Sequence, residues 1–296
     1  MERGIFLVQD YLRDSAARLP SKVALVCDPH RITYAQLEAA SNALARALRR
    51  RGVARGDRVI VFAENSAATA ISFWGVLKAD AVVSMVNAGT KADKLAWLLN
   101  DCRATALLAP SHLAPAFVPA ARRSPHLRAV MVAGELPAAD LPGLCSFMDA
   151  MADEGDGPAP VRRAIDIDLA AIIYTSGSTG EPKGVMLTHR NMLAAAASIT
   201  AYLENVEDDV ILGALPLSFD YGLYQMIMAF KTGARLVLQK SFAFPARVLE
   251  DVVREGVTGF PGVPTMFATM AEMENLPGYD FSKVRYVTNT AAALPF

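Results

Sequence analysis

Apolar runs of strand length alternate along this chain with segments in which apolar residues recur at helical spacing. The first pair is KVALVC, residues 22–27, and a segment from Tyr34 that places Leu37, Leu44 and Leu48 on one helical face. Strands that are apolar throughout are typical of parallel sheets buried on both faces. The pattern therefore predicts an α/β fold with layered, largely parallel sheets flanked by helices. The predicted strands are KVALVC, DRVIVF, AVVSMV, ATALLA, AVMVA, LAAIIY, DVILGAL, ARLVLQ, VTGF and VRYV.

A change of composition divides the chain. Residues 137–160 are rich in Pro, Gly, Ala and Asp and end in DEGDGPAP, which predicts a loop. We therefore expect a first α/β subdomain over residues 1–160 and a second over residues 161–296. VRYV predicts a final strand and TNTAAALPF an unfinished loop, so we expect the second subdomain to be truncated.

The composition excludes several classes of protein. Hydrophobic residues make up 53% of the chain and charged residues 20%, which suits a folded core. The net charge of −1 provides no basic field for nucleic acid. No apolar run reaches the roughly 18 residues of a membrane span, and the N-terminus lacks a signal-peptide pattern. Three cysteines without a CxxC pair predict neither a zinc site nor a disulfide framework. We expect a soluble, cytoplasmic protein.

A glycine-rich stretch, TSGSTGEPKG at residues 175–184, directly follows the predicted strand LAAIIY. Loops at the carboxyl ends of parallel strands are where α/β sheets bind ligands. Gly177 and Gly180 allow the backbone to approach an anion closely, and successive backbone N–H groups can surround it. Lys183 adds a positive charge. Hydroxyl donors come from Thr175, Ser176, Ser178 and Thr179. This stretch predicts a phosphate-binding loop, and the alternative is a flexible surface loop.

Other phosphate and nucleophile motifs do not match this loop. A Walker loop requires GxxxxGK[ST], but here Pro182 precedes Lys183 and Gly184 follows it. GxGxxG is absent, and the GxSxG elbow of hydrolases is not matched either.

The stretch YTSGSTGEPKGVMLTHRN closely resembles the signature loop of the AMP-forming adenylating enzymes. This superfamily comprises acyl-CoA synthetases, adenylation domains of peptide synthetases and luciferases. Weaker resemblance covers almost the whole chain, although Asp80 stands where glycine is usual. The resemblance implies the N-terminal domain of that fold. It also implies ATP-dependent activation of a carboxylic acid as an acyl-adenylate, followed by transfer to CoA or to the pantetheine of a carrier protein.

The resemblance also implies roles for the loop residues. Residues 176–180 and Lys183 would surround the β- and γ-phosphates of ATP, and Lys183 would accompany pyrophosphate as it leaves. The hydroxyl of Thr175 would be a ligand of Mg²⁺. Because this reaction brings two anions together, it depends on positioning and on neutralisation of charge.

LPLSFDYG, residues 215–222, resembles the substrate-pocket motif. Acyl-CoA ligases of the family commonly have an aromatic residue followed by His where this chain has Ser218 and Phe219. Amino-acid-activating domains have Phe-Asp-x-Ser, which Phe219 and Asp220 half match. Asp220 therefore either binds a substrate ammonium or caps the following helix. GVMLTHRN favours an acyl acid, with a role in fatty acid metabolism, and His189 receives no catalytic role. The predicted pocket residues are Phe219, Asp220, Gly222, Gly262 and Val263, with ordinary strand-to-helix packing as the alternative for Gly262 and Val263.

Several parts of the family pattern are missing from these residues. There is no Tyr-Gly-x-Thr-Glu motif, no ribose-binding Thr/Ser-Gly-Asp motif and no small C-terminal domain with its lysine. Residues 289–294, NTAAAL, stand where Gly-Gly-Ala is usual. One hypothesis is a fragment of an acid–thiol ligase that does not complete adenylation alone. The other is a non-catalytic binding or scaffolding protein that keeps the fold. We expect an interrupted sheet to expose apolar surface and to promote self-association.

Overall fold

A computed structural model describes residues 4–155, 157–176 and 182–293 of the chain. The strands are β1 (Val23–Cys27), β2 (His30–Thr33), β3 (Arg58–Phe62), β4 (Val82–Val86), β5 (Ala104–Pro110), β6 (Ala129–Ala133), β7 (Leu144–Ser146), β8 (Leu169–Ser176), β9 (Pro182–Thr188), β10 (Val210–Gly213), β11 (Arg235–Leu238), β12 (Gly259–Gly262) and β13 (Tyr286–Asn289). The helices are α1 (Asp10–Arg18), α2 (Tyr34–Arg50), α3 (Ala67–Lys78), α4 (Ala92–Asp101), α5 (Ala114–Arg122), α6 (Phe147–Ala152), α7 (His189–Tyr202), α8 (Asp220–Thr232), α9 (Pro245–Glu255) and α10 (Pro264–Ala271). Short 3₁₀ turns occur at Ser111–Leu113 and Leu276–Gly278.

The chain folds into two compact units that are interleaved in sequence. The first unit contains Met1–Arg13, Gln36–Glu64 and Ala68–Leu193, and the second contains Asp14–Ala35, Asn65–Ala67 and Ala194–Phe296. These units differ from the predicted division at residue 160. The difference arises because parallel sheets place strands distant in sequence side by side, and β1 pairs with β11.

The first unit contains a sheet with the order β7-β6-β5-β3-β4-β8-β9 among its described strands. All neighbours in this sheet run parallel except β8 and β9, which pair antiparallel. The buried core beside it includes Phe62, Leu107 and Val130 from strands, with Leu99 of α4 and Phe117 of α5. Burial of these apolar side chains is the main favourable term in folding such a unit.

The second unit contains a sheet with the order β13-β12-β10-β11-β1-β2 among its described strands. Only β1 and β2 pair antiparallel there. Its core cluster includes Leu212, Val237, Leu249 and Phe260. The two sheets confirm the predicted α/β class with largely parallel strands, and each predicted strand has a counterpart.

Three segments differ from the sequence prediction. Residues 30–33, which are not among the predicted strands, form β2. The predicted loop at residues 137–160 contains β7 and α6, because β7 pairs with β6 and the Ser146 hydroxyl accepts a 3.2 Å bond from the Asp149 amide. Residues 182–184, predicted as part of the glycine-rich loop, begin the strand β9, Pro182–Thr188. Within the described ranges, no helix is long and apolar enough to cross a bilayer.

Arginines of α2 hold the end of that predicted loop. Arg46 donates hydrogen bonds to the carbonyl oxygens of Gly155 at 2.7 Å and Gly157 at 2.6 Å. Arg49 donates to the carbonyl of Val161 at 2.9 Å. Each guanidinium offers five donors in a fixed fork, so it can satisfy several backbone carbonyls at once. The segment is thus bound to α2 although its composition is that of a linker.

Candidate functional site

The hairpin of β8 and β9 carries the predicted phosphate loop in the first unit. Its register pairs Tyr174 with Gly184, Thr175 with Lys183 and Ser176 with Pro182. Thr175 and Lys183 are both exposed, and the Thr175 hydroxyl donates to the Lys183 carbonyl over 3.4 Å. The predicted loop residues Gly177, Ser178, Thr179 and Gly180 lie outside the described residues. The structure therefore brings Thr175 and Lys183 together at the two strand ends that flank the loop.

The opposite end of the hairpin is held by His189, the first residue of α7. Its backbone N–H donates to the Asp168 carbonyl at 3.1 Å, and its Nδ1 accepts from the Val8 N–H at 3.3 Å. Burial lowers the pKa of His189 to about 4, although the charges of Asp168, Asp10 and Asp166 act in the opposite direction. The ring is therefore neutral at pH 7 and serves as a hydrogen-bond acceptor. This is a structural role.

The substrate motif lies in the second unit, between β10 and α8, and is held by Asn65. The Asn65 side-chain amide donates to the Leu215 and Gln239 carbonyls, each at 2.9 Å, and its oxygen accepts from the Leu217 N–H at 2.8 Å. Asn65 is only 5% exposed, so these bonds satisfy a buried amide. The sequence analysis missed this residue. The available signal was an asparagine in the turn between a predicted strand and a predicted helix.

Phe219 and Asp220 begin α8 and are both exposed. Phe219 occupies the N-cap without a side-chain cap bond, and Asp220 is the first helical residue. The Asp220 carboxylate accepts a 2.8 Å bond from the N–H of Tyr221. The alternative in which Asp220 is the N-cap is therefore wrong by one residue, because Phe219 occupies that position. A carboxylate in the first turn still interacts favourably with the helix dipole.

Close backbone approaches explain the glycines of the predicted pocket. A Cβ on buried Gly222 would overlap the Pro216 carbonyl oxygen, and one on Gly262 would lie 2.6 Å from the Phe267 ring. Gly262 ends β12, and Val263 is the N-cap of α10. Because β10 and β12 are parallel neighbours, residues that follow them lie at the same sheet edge. The second unit thus brings Phe219, Asp220 and Gly222 to the edge where Gly262 and Val263 lie.

Tyr221 links this edge to β13. Its hydroxyl and that of Thr288 are 2.5 Å apart, and burial raises the pKa of Tyr221. The phenol therefore stays protonated and can donate. The first turn of α8 and the end of β13 are held together by this bond.

Comparison with known proteins identifies the family. A model described as AMP-binding enzyme matches residues 12–295. The chain belongs to the AMP-binding enzyme family. Among other AMP-binding enzymes, a 4-hydroxybenzoate–CoA/benzoate–CoA ligase from Rhodopseudomonas palustris is 31% identical over 290 residues, which cover 96% of this chain and 52% of that protein. The chain thus spans about half the length of the curated ligase that it matches.

Solved structures agree with the family assignment. The anthranilate CoA ligase AuaEII, crystallised with anthranoyl-AMP, has a TM-score of 0.90 and 27% identity, covering 98% of this chain and 56% of that one. VinN in complex with L-aspartate has a TM-score of 0.80 and 29% identity, covering 98% of this AMP-binding chain and 70% of that one. The expected N-terminal domain fold of the adenylating enzymes is therefore confirmed.

Proposed function

We propose that the protein to which this chain belongs uses ATP to activate a carboxylic acid as an acyl-adenylate. The acyl group then passes to a thiol of CoA or of carrier-protein pantetheine. The observation that carries the proposal is the hairpin pairing of Thr175 with Lys183 on either side of residues 177–181, in a chain matched along its length by the AMP-binding family. A cytoplasmic location and a role in fatty acid metabolism stay predictions.

In this proposal, the residues beside the loop neutralise phosphate charge. Lys183 carries an exposed ammonium group, which can follow pyrophosphate as a mobile point charge. No three His, Cys, Asp or Glu side chains within the described ranges gather to hold a metal. Mg²⁺ commonly keeps several waters and binds through substrate phosphates. The exposed Thr175 hydroxyl therefore suits a single protein ligand to Mg²⁺ that arrives with ATP and offsets its charge.

Replacement of Lys183 by alanine is expected to weaken pyrophosphate binding to the purified chain at least tenfold, which corresponds to about 1.4 kcal/mol. Isothermal titration with pyrophosphate and with Mg²⁺–ATP measures this. The matched control is Lys94→Ala, which removes an exposed lysine of α4 in the same unit. Equal affinities of wild type and Lys183→Ala contradict the proposal. Exchange of pyrophosphate into ATP tests the separate prediction that these residues alone do not complete adenylation.

A second candidate is activation of an acid that carries an amino group. It is favoured by the exposed Asp220 carboxylate at the start of α8, and by similarity to VinN, which was solved with L-aspartate. The leading candidate remains an acyl acid without an ammonium, because Asp220 lacks the serine that completes Phe-Asp-x-Ser in amino-acid-activating domains.

Titrating benzoate, octanoate and L-aspartate into wild type and Asp220→Asn separates the two candidates. For an acyl acid, we expect Asp220→Asn to bind benzoate or octanoate at least as tightly as wild type, since a like charge is removed. For an amino acid, we expect wild type to bind L-aspartate and Asp220→Asn to lose at least tenfold in affinity, because a charge-assisted bond is lost. L-Aspartate binding that Asp220→Asn leaves unchanged contradicts the second candidate.

A further inference from the structure

Tyr174 is the last residue of β8 before the pair that flanks the phosphate loop, and it contacts α4 twice. Its hydroxyl donates to the Asp101 carboxylate at 2.5 Å. Its ring meets the Trp97 ring edge to face, with centroids 6.0 Å apart and planes at 78°. Trp97 and Asp101 are four residues apart, so they lie on the same face of α4. One side chain thus fixes this end of β8 to one helix face at two points.

Asp101 is in an unusual place for an acidic residue, since it ends α4. The partial negative charge of a helix C-terminus disfavours a carboxylate there by roughly 0.3–1 kcal/mol. Within the part of the chain that the structure describes, the short bond from Tyr174 is the contact that compensates for this cost. A tyrosine hydroxyl bound to a charged acceptor contributes more than a neutral pair does. The position of Asp101 is therefore better explained by Tyr174 than by the stability of α4.

The same ring also lies close to Gly184 of β9. A Cβ placed on Gly184 would lie 2.9 Å from Cγ2 of Ile172 and 3.3 Å from Cε1 of Tyr174. Gly184 thus permits the ring to approach the facing backbone closely. The next pair along the hairpin is Thr175 and Lys183. Tyr174 therefore contacts both strands one residue before the positions that flank the loop.

We propose that Tyr174, through its hydrogen bond to Asp101, is a positioning residue that fixes the orientation of the phosphate-binding hairpin. This inference rests on the proposed function. Tyr174 does not touch the phosphates; it sets the direction in which β8 and β9 present Thr175 and Lys183. Burial and the bond to Asp101 raise the pKa of Tyr174, so the phenol remains a donor at physiological pH. Small errors in the placement of charged groups are costly in reactions that depend on positioning.

The test measures pyrophosphate affinity of the purified chain by isothermal titration, with urea unfolding of every variant. Tyr174→Phe keeps the ring and removes the hydroxyl. We expect it to bind pyrophosphate three- to tenfold more weakly under conditions in which it is fully folded. Asp101→Ala should lose as much pyrophosphate affinity. The double variant should lose no more than either single variant, because both substitutions remove the same hydrogen bond. Asp101→Asn keeps an acceptor oxygen and should restore most of the affinity.

The matched control is Tyr202→Phe. Tyr202 is 84% exposed, so this variant should bind pyrophosphate as tightly as wild type does. Unchanged affinity in Tyr174→Phe overturns the inference, even where that variant is less stable, since the role is then only structural. If Lys183→Ala weakens binding while Tyr174→Phe does not, the proposed function stands without this inference. If wild type binds no pyrophosphate, both are overturned.

Discussion

Replacement of Asp209 by alanine is expected to lower the free energy of unfolding by about 3 kcal/mol. Asp209 is 1% exposed and accepts bonds from Arg285 at 2.8 Å, from the Thr258 hydroxyl at 2.7 Å and from the Val206 N–H at 2.9 Å. Its removal leaves these donors without their acceptor, and the cost of an unsatisfied buried group exceeds the net value of a bond. Urea denaturation, monitored by circular dichroism, measures the change in the free energy of unfolding.

The matched control for this prediction is Asp93→Ala. The Asp93 side chain is 90% exposed and pairs with Arg123 at the surface, so its loss should change the free energy by no more than about 0.5 kcal/mol. An Asp209→Ala variant within about 1 kcal/mol of wild type contradicts the prediction.

The pKa of Asp209 adds a dependence on pH. Burial alone would raise it, but hydrogen bonds from Thr258, the Val206 amide and Arg285 outweigh burial and hold the pKa below its ordinary value. The folded state therefore binds this proton less readily than the unfolded state does. The contribution to stability is complete above the ordinary pKa of an aspartate and is lost as the pH falls through the folded one.

Asp209 also connects the strands that carry the substrate motif. It directly precedes β10, while Thr258 precedes β12 and Arg285 precedes β13. The network thus fixes the amino ends of three strands. Their carboxyl ends lead to the substrate motif, to Gly262 and Val263, and to Thr288. A change at Asp209 is therefore expected to disturb the relative placement of the pocket residues as well as stability.

The buried strands β3 and β4 could be predicted from the sequence, whereas the exposed strands β2 and β9 could not. β4 is buried at every residue and β3 at four of five, so each appears as an uninterrupted apolar run. β9 is exposed over most of its length and β2 is at most half-buried. Their pairing is set by the neighbouring strand, not by a hydrophobic period. β7 likewise depends on β6, which residues 144–146 alone do not reveal.

The site divides in the same way. The glycine-rich loop is a local motif, and its flanking residues Thr175 and Lys183 follow from it. Asn65 and Asp101 act on segments far away in sequence, so their roles emerge only from the fold. Asp80 shows both effects: its φ of 64° lies in the left-handed region that glycine adopts most readily, which accounts for the glycine expected at this position. Its carboxylate also accepts hydrogen bonds from Arg49 at 2.7 Å and from the Arg163 N–H at 2.9 Å. These contacts join residues distant in sequence, so no local sequence pattern predicts them.

Replacement of His189 by glutamine is expected to remove much of the loss of stability that wild type shows in mild acid. The pKa of His189 is lowered from 6.5 to about 4 by burial. Below pH 6.5, His189 is therefore protonated in the unfolded state but not in the folded state. The stability of the fold falls as the pH drops from 6.5 towards 4. Between pH 7 and pH 5, wild type should lose about 2 kcal/mol more than His189→Gln, by the same linkage.

Urea denaturation at the two pH values measures this difference. The contributions of buried carboxylates to the pH dependence cancel, because both proteins contain the same carboxylates. The matched control is His126→Gln, which removes an exposed histidine. Equal losses in wild type and His189→Gln contradict the prediction. Glutamine keeps an oxygen that can accept the bond from Val8, so the two proteins should differ little at pH 7.

Because His189 joins directly to β9, its protonation should loosen the phosphate-binding hairpin first, and pyrophosphate affinity should fall before global unfolding begins.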